Sequence, residues 1–83
     1  MKYPALIDGE AGAYGAVFLD LPGCVAMGCT VDEVVRNAED SMRDWIASME
    51  ANGQRVPEPS SLESIAVPSG STLTSISLVG VLQ

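Results

Sequence analysis

The five residues Asp20-Leu21-Pro22-Gly23-Cys24 constrain the fold more than any other stretch, because they interrupt an apolar run with a tight turn. Proline fixes φ at the second position of such a turn, and glycine supplies the backbone freedom that the next position can require. Further on, Thr30 and Glu33 have the spacing of a capping box, in which both side chains satisfy amide groups at a helix start. The stretch therefore predicts the order strand, turn, strand, helix.

Short runs of aromatic and branched residues predict three strands ahead of that helix. The first extends from Tyr3 to Asp8, and the turn formers at residues 8–12 connect it as a hairpin to a second strand from Tyr14 to Leu19. Neither face of the second strand is polar, so we expect a central strand that is covered on at least one side. The third strand extends from Cys24 to Gly28 and leads directly to the helix cap.

A helix from Val31 to about Asn52 is the clearest element, because apolar residues recur at spacings of three and four along it. We expect this apolar stripe to pack on the sheet, with Trp45 as its largest contributor, and Gly53 to follow the helix in a left-handed conformation. The stripe comprises Val34, Val35, Ala38, Met42, Trp45, Ile46 and Met49.

The last third of the chain predicts a return to the sheet. Two prolines make residues 54–61 an extended linker, one helical turn is predicted from Leu62 to Ala66, and a branched strand is predicted from Leu73 to Leu82. An apolar strand at a sheet edge invites pairing with another chain. For residues 76–81 two alternatives stay open, namely core packing alone or core packing combined with an oligomer contact.

Length and charge bound the class of protein. A chain of 83 residues supports one hydrophobic core, so residues 1–83 are predicted to form one domain with no separate DNA-binding domain. A core this small often needs support, and we expect a homo-oligomer. Eleven acidic against four basic residues give a net charge of −7, which repels phosphate backbones and predicts no direct nucleic-acid binding. The acidity fits either a solubility device or a basic protein partner.

The absence of histidine restricts the chemistry that the chain can perform. Zinc ligation and activation of a serine or cysteine nucleophile both lack their usual partner, so we expect no metal, no cofactor and no catalytic residue. Cys24 and Cys29 lie five positions apart, and an odd separation points their side chains to opposite faces of a strand, which disfavours a local disulfide. Both are predicted to be buried in a reducing compartment. No stretch has the apolar length of a signal peptide or membrane span, so we expect the cytoplasm and no membrane.

Three carboxylates near the first two strands, Asp8, Glu10 and Asp20, admit the interpretation of a two-metal nuclease site. Two of them lie in or beside turns, where acidic residues are ordinarily solvated. The glycine-containing segment 9–15 precedes a strand, whereas phosphate-binding loops open a helix. We therefore interpret these residues as turn and hairpin residues.

Four segments in this order resemble the HicB-like antitoxin family: Tyr3-Pro4-Ala5-Leu6-Ile7, residues 15–24, residues 28–33, and Val56-Pro57-Glu58-Pro59-Ser60. The order of the turn, the capped helix and the Pro-x-Pro exit is more specific than any one piece. The resemblance implies an α+β fold, a single β-β-β-α-β domain of the partial RNase H-like type with one amphipathic helix on an antiparallel sheet. It also implies a non-catalytic protein that binds and masks a small basic toxin, HicA, which cleaves messenger RNA.

Most motif residues that the resemblance carries over are determinants of the fold. They are Asp20, Leu21, Pro22, Gly23, Thr30 and Glu33, and the apolar stripe of the helix adds Trp45 as a structural residue. Because the implied partner is basic, acidic residues are the candidates for contact with it. We predict that Asp8, Glu10, Asp20 and Asp32 bind the toxin.

Many family members continue into a helix-turn-helix or ribbon-helix-helix segment that binds operator DNA. This chain ends at Gln83 after its last predicted strand, so we do not expect it to repress an operator alone. One rival hypothesis is a stand-alone oligomeric or ligand-binding domain that kept this fold without a toxin partner. The other is a degenerate nuclease, against which the missing histidine argues.

Overall fold

The computed structural model describes residues 2–77 of the chain. Its strands are β1 (Lys2–Glu10), β2 (Ala13–Phe18), β3 (Val25–Gly28) and β4 (Thr72–Ser77), and its helix α1 (Val31–Ala51) lies between β3 and β4 in the sequence. The strands form one antiparallel sheet in the order β3-β2-β1-β4. The predicted α+β class and the order β-β-β-α-β are confirmed.

The hairpin between β1 and β2 turns later than the sequence predicts. The strands stay paired as far as Glu10 and Ala13, so residues 11–12 alone form the turn, whereas residues 8–10 were predicted as turn residues and belong to β1. The strand passes through Gly9 with φ +113°, where a Cβ atom would lie 2.2 Å from the Ala13 carbonyl oxygen. Only glycine tolerates that conformation and that approach, which is why the strand continues.

The N-terminus of α1 is capped as the spacing predicts, with one difference. Thr30 is the N-cap, and its Oγ1 accepts a hydrogen bond from the Glu33 amide at 3.1 Å. The Glu33 carboxylate accepts in return from the amide of Cys29 at 2.6 Å, one residue before the N-cap amide that a capping box ordinarily uses. Two amide donors at the helix start are thus satisfied by side chains.

The C-terminus of α1 ends in a Schellman motif. Gly53 adopts φ +71°, as predicted, and its amide donates to the Glu50 carbonyl at 3.0 Å. The next amide, that of Gln54, reaches the Met49 carbonyl at 2.9 Å. These two bonds satisfy carbonyl groups that the last helical turn leaves unpaired.

The core lies between α1 and one face of the sheet. The helix contributes Val34, Ala38, Met42 and Ile46, and the strands contribute Tyr3, Ala5, Ile7, Ala16, Phe18, Ala26 and Ile76. Trp45 was expected to be the largest contributor and is only partly buried, because it lies at the margin of the apolar stripe. Tyr3, Leu21, Met42 and Ile76 are among the largest side chains that are fully enclosed.

The segment after α1 returns to the sheet without regular structure except for a 3₁₀ turn at Leu62–Ser64, within the region predicted to form one helical turn. The last predicted strand is observed as β4, and its predicted continuation through residues 78–82 lies outside the described residues. Within residues 2–77, no helix combines the length and apolar character needed to cross a lipid bilayer.

Candidate protein-binding surface

The motif Asp20-Leu21-Pro22-Gly23-Cys24 forms the turn that follows β2. The Cys24 amide donates to the Leu21 carbonyl at 2.9 Å, closing a turn with Pro22 and Gly23 at its central positions. Gly23 adopts φ +81°, the left-handed value that the third position of a type II turn requires. Leu21 is fully buried, so the turn also anchors one end of the core.

Two side chains from distant parts of the chain hold this turn in place. The Trp45 indole Nε1 donates to the Pro22 carbonyl at 3.0 Å. Ser60 donates to both oxygens of the Asp20 carboxylate, from its amide at 2.8 Å and from its hydroxyl at 2.5 Å. Through these hydrogen bonds, Asp20, Pro22 and Trp45 join the turn to α1 and to the segment that follows it.

α1 packs on one face of the sheet, and we call the other face the open face; Pro4 on this face is fully buried, whereas its other described residues are partly or largely exposed. One apolar residue from each strand lies in a row across it: Val25, Val17, Leu6 and Leu73, each the direct cross-strand partner of the next. Val17 and Val25 expose 47% and 53% of their surface, and Leu6 and Leu73 are partly exposed. Contiguous apolar residues on a surface are typical of a protein-binding site.

A second row on the open face combines apolar, small and acidic residues. Met27, Gly15 and Asp8 are successive cross-strand partners, and Met27 is 73% exposed. Gly15 leaves a depression in this row, since the nearest side-chain atom to its missing Cβ is a carboxylate oxygen of Asp8 at 3.9 Å. Glu10 lies two residues beyond Asp8 on the same strand and therefore on the same face.

The structure separates the four acidic residues that were predicted to bind a partner. Asp8 and Glu10 are exposed together on the open face, and Asp32 is exposed in the first turn of α1. That helix starts at the hairpin end of the sheet, where the Gly12 amide donates to the Cys29 carbonyl at 2.9 Å. Asp20 lies at the other end, with both carboxylate oxygens engaged by Ser60.

The distance of Asp20 from Asp8 and Glu10 argues against a two-metal site formed by these three carboxylates. Asp20 does not join Asp8 and Glu10, and no group of three His, Cys, Asp or Glu residues within 2–77 is arranged to hold a metal ion. Asp8 and Glu10 lie on exposed positions of β1, and Asp20 lies beside the turn that follows β2.

The two cysteines differ in environment, and the expectation that both are buried is wrong for one of them. Both are free thiols; Cys24 is buried, whereas Cys29 is exposed because the chain leaves the core between β3 and α1. Burial raises the pKa of the Cys24 thiol, which keeps it protonated and a poor nucleophile near neutral pH. Cys24 also lines an open groove of about 330 Å³ between the turn and α1, together with Ser41, Asp44 and Trp45.

The sequence did not indicate the open face as a candidate binding surface. A partial signal was present in β2, where both faces are apolar although α1 covers only one of them. A strand of this kind requires a second cover or leaves an apolar surface. The exposure of Val25 and Met27 could not be predicted, because a strand of four residues is too short for its sequence to show which residues face the core.

The fold and the open face together define a class of protein, a small α+β chain in which one helix covers one side of a four-stranded antiparallel sheet. The family model described as "HicB_like antitoxin of bacterial toxin-antitoxin system" matches residues 3–78. The chain belongs to this family.

Known proteins are similar to this chain over most of its length. The UPF0150 protein Ta0767 of Thermoplasma acidophilum is 30% identical over 64 residues, which cover 76% of this chain and 93% of that protein. A chain of a solved HicA3 and HicB3 toxin-antitoxin complex superposes with a TM-score of 0.77 at 25% identity, covering 93% of this chain and 96% of that one.

Two solved structures from Burkholderia pseudomallei share the fold at lower identity. The N-terminal domain of its antitoxin HicB superposes with a TM-score of 0.79 at 23% identity, covering 93% of this chain and 96% of the domain. A longer HicB chain gives 0.81 at 24% identity, and this chain spans 62% of it.

Proposed function

We propose that this chain is an antitoxin that binds and neutralises a small basic mRNA interferase toxin of the HicA type in the cytoplasm. The observation that carries the proposal is the match of residues 3–78 to the HicB-like antitoxin family. Similarity to a chain from a HicA3 and HicB3 complex supports a toxin of that type as the partner. The net charge of −7 supports a basic partner, because complementary charge favours encounter and specificity.

The open face is the surface that we propose for toxin contact. Its apolar row, Val25, Val17, Leu6 and Leu73, supplies surface that gains free energy when water is excluded. Asp8 and Glu10 lie beside this row, so an apolar centre has an acidic margin, as many interfaces have a polar rim. Asp32 extends the acidic margin at the hairpin end, and Asp20 contributes by fixing the turn and through its charge.

The proposed role requires no catalysis by this chain. Masking a toxin needs a surface that is complementary in shape and charge, and it needs no nucleophile, base or metal. Cys24 does not supply a reactive thiolate, since burial raises its pKa.

The test measures whether the chain protects messenger RNA. Purified HicA-type toxins, beginning with any that is encoded beside the gene for this chain, are mixed with a reporter mRNA and increasing amounts of the full chain. We expect cleavage to stop when chain and toxin are present in comparable amounts. Undiminished cleavage by every toxin, with no complex detected by calorimetry, would contradict the proposal and favour the stand-alone oligomeric or ligand-binding alternative.

Charge variants test where the toxin binds. Asp8→Asn combined with Glu10→Gln removes two charges from the open face, and Asp44→Asn combined with Glu50→Gln removes two from exposed positions of α1. We expect the first pair to weaken toxin binding by about tenfold or more and the second to change it little. Equal weakening by both pairs would show that net charge matters and that the open face does not.

An apolar variant tests the row itself. Val17 lies at the middle of the row and is 47% exposed, so Val17→Ser changes the surface with little effect on the core. We expect weaker toxin binding and a small loss of thermal stability, of about 1 kcal/mol or less, because Val17 also packs against its cross-strand partners. Unchanged affinity would place the contact away from the open face.

A further inference from the structure

We propose that β4 pairs with β4 of a second copy, so that two copies share one continuous antiparallel sheet of eight strands. The strand order β3-β2-β1-β4 places β4 at an edge, where it is paired with β1 alone. An edge strand presents unpaired amide and carbonyl groups to any chain that can align with it. The inference concerns self-association and does not depend on a toxin.

The pairing pattern identifies which groups of β4 face outward. Phe18 donates its amide to Cys24, so Phe18 and alternate residues of β2 bond toward β3. Since hydrogen-bonded and non-bonded positions alternate along antiparallel strands, Tyr3, Ala5 and Ile7 bond toward β4. The amide and carbonyl groups of Leu73, Ser75 and Ser77 then point away from the sheet.

No described segment covers this edge. Within residues 2–77, no backbone hydrogen bond joins Leu73, Ser75 or Ser77 to the connection that precedes β4. The opposite edge differs, because the Asn37 side-chain amide donates to the Met27 carbonyl of β3 at 2.7 Å. α1 begins directly beside Gly28, whose missing Cβ would lie 2.6 Å from the Val34 amide nitrogen. One edge is thus partly covered by the helix, and the other is open.

β4 also lacks the features that keep edge strands apart. Lysines, prolines and bulges commonly protect an exposed edge. Residues 72–77 contain no charged residue and no proline, and they pair with β1 in unbroken register. No charged residue follows Glu63 in the whole sequence.

The charge distribution favours a second copy of this chain as the partner of the β4 edge. Two copies that each carry a net charge of −7 repel one another over most of their surfaces. The segment after Glu63 contains no charged side chain, so two copies do not repel each other there through charges of that segment. Charge attraction gives a basic partner no advantage along an uncharged strand edge, whereas an identical strand meets the same pattern of donors and acceptors.

Two-fold symmetry fits the outward groups of β4. If Ser75 of each copy lies opposite Ser75 of the other, Leu73 lies opposite Ser77, and all outward amide and carbonyl groups of the three residues find partners. The symmetry axis is then perpendicular to the sheet, so both helices lie on one side. The apolar rows of both open faces lie together on the other side.

The test is the mass of the full chain in solution, measured by analytical ultracentrifugation over a range of concentrations. We expect a dimer of the 8.6 kDa chain that dissociates on dilution. Ser75→Pro removes an outward amide that β1 does not use, so it should leave the fold intact and give a monomer. Ser75→Ala keeps the amide and should remain dimeric. A monomeric wild-type chain, or a folded and dimeric Ser75→Pro variant, would overturn the proposal.

Amide hydrogen exchange gives a second measurement that does not depend on how the proline variant folds. We expect the amides of Leu73, Ser75 and Ser77 to exchange more slowly at concentrations where the dimer forms, and to lose this protection on dilution. The amides of Thr72, Thr74 and Ile76 bond toward β1 and should keep their protection at both concentrations. A dimer that leaves the first three amides unprotected would place the interface elsewhere and overturn the proposal.

Discussion

Asp20 and Ser60 are forty residues apart in the sequence, and a pair of hydrogen bonds joins them at the end of the sheet. The Ser60 amide lies 2.8 Å from one oxygen of the Asp20 carboxylate, and its hydroxyl lies 2.5 Å from the other. Nearby, the Tyr3 hydroxyl donates to the Pro57 carbonyl at 2.6 Å. The proline-containing segment after α1 is thereby fixed against the turn that follows β2.

Removing this pair should destabilise the fold in a coupled manner. Asp20→Ala should lower the free energy of unfolding by about 1 to 2 kcal/mol, because hydrogen bonds to a charged group are lost at a half-buried site. Ser60→Ala should cost less, since the amide of residue 60 still donates. In a double-mutant cycle followed by urea unfolding, the two costs should not add. Additive costs would show that the pair contributes nothing as a unit.

The hydrogen bond from Tyr3 to Pro57 predicts a pH dependence of stability. Burial raises the pKa of Tyr3 above its usual value, and the negative charges of Asp20 and Glu58 raise it further. The unfolded chain therefore releases this proton at a lower pH than the folded chain. Below about pH 10 both states hold the proton, and above it the stability contributed by Tyr3 falls as pH rises through the folded-state pKa.

The Tyr3→Phe variant isolates that effect. Near neutral pH it should be about 1 kcal/mol less stable than the wild type, because the Pro57 carbonyl loses its donor. Urea unfolding of both proteins from neutral to strongly alkaline pH should show this difference shrinking above about pH 10. The buried Cys24 thiol titrates in both proteins, so its contribution cancels in the comparison. A difference that is constant with pH would mean that Tyr3 ionises equally in both states.

The features that the sequence predicted well are those decided by residues close together in the chain. The turn at Pro22 and Gly23, the cap at Thr30 and the glycine after α1 depend on backbone conformations that few residue types support. The apolar period of α1 is equally local, and it correctly indicated Val34, Ala38, Met42 and Ile46 as core residues.

What the sequence did not predict depends on contacts between distant segments. The Trp45 indole donates a hydrogen bond to the carbonyl of Pro22, which belongs to the turn before β3. The structural engagement of Asp20 follows from Ser60, and the exposure of Met27 follows from which face of β3 the helix covers. Such relationships require the register of the whole sheet, which local periodicity does not fix.

The two free thiols should react at different rates. Cys29 is exposed, whereas Cys24 is buried and its pKa is raised by that burial. A thiol reagent at neutral pH should therefore modify Cys29 in the folded chain and Cys24 only after unfolding in urea. Mass spectrometry of digested protein assigns the modified residue. Equal rates for both cysteines in the folded state would contradict the burial of Cys24, and Cys29→Ser provides the control with one thiol.

Gly28 and Gly15 form a matched pair for testing how closely α1 approaches the sheet. A Cβ at residue 28 would lie 2.6 Å and 2.9 Å from the backbone nitrogen and Cα of Val34, whereas a Cβ at residue 15 meets no atom closer than 3.8 Å. Gly28→Ala should therefore cost about 2 to 3 kcal/mol, because helix backbone must move to make room. Gly15→Ala should change stability by less than about 1 kcal/mol. Thermal unfolding of both variants checks the pair, and a Gly28→Ala variant as stable as Gly15→Ala would show that β3 and α1 are not in close contact.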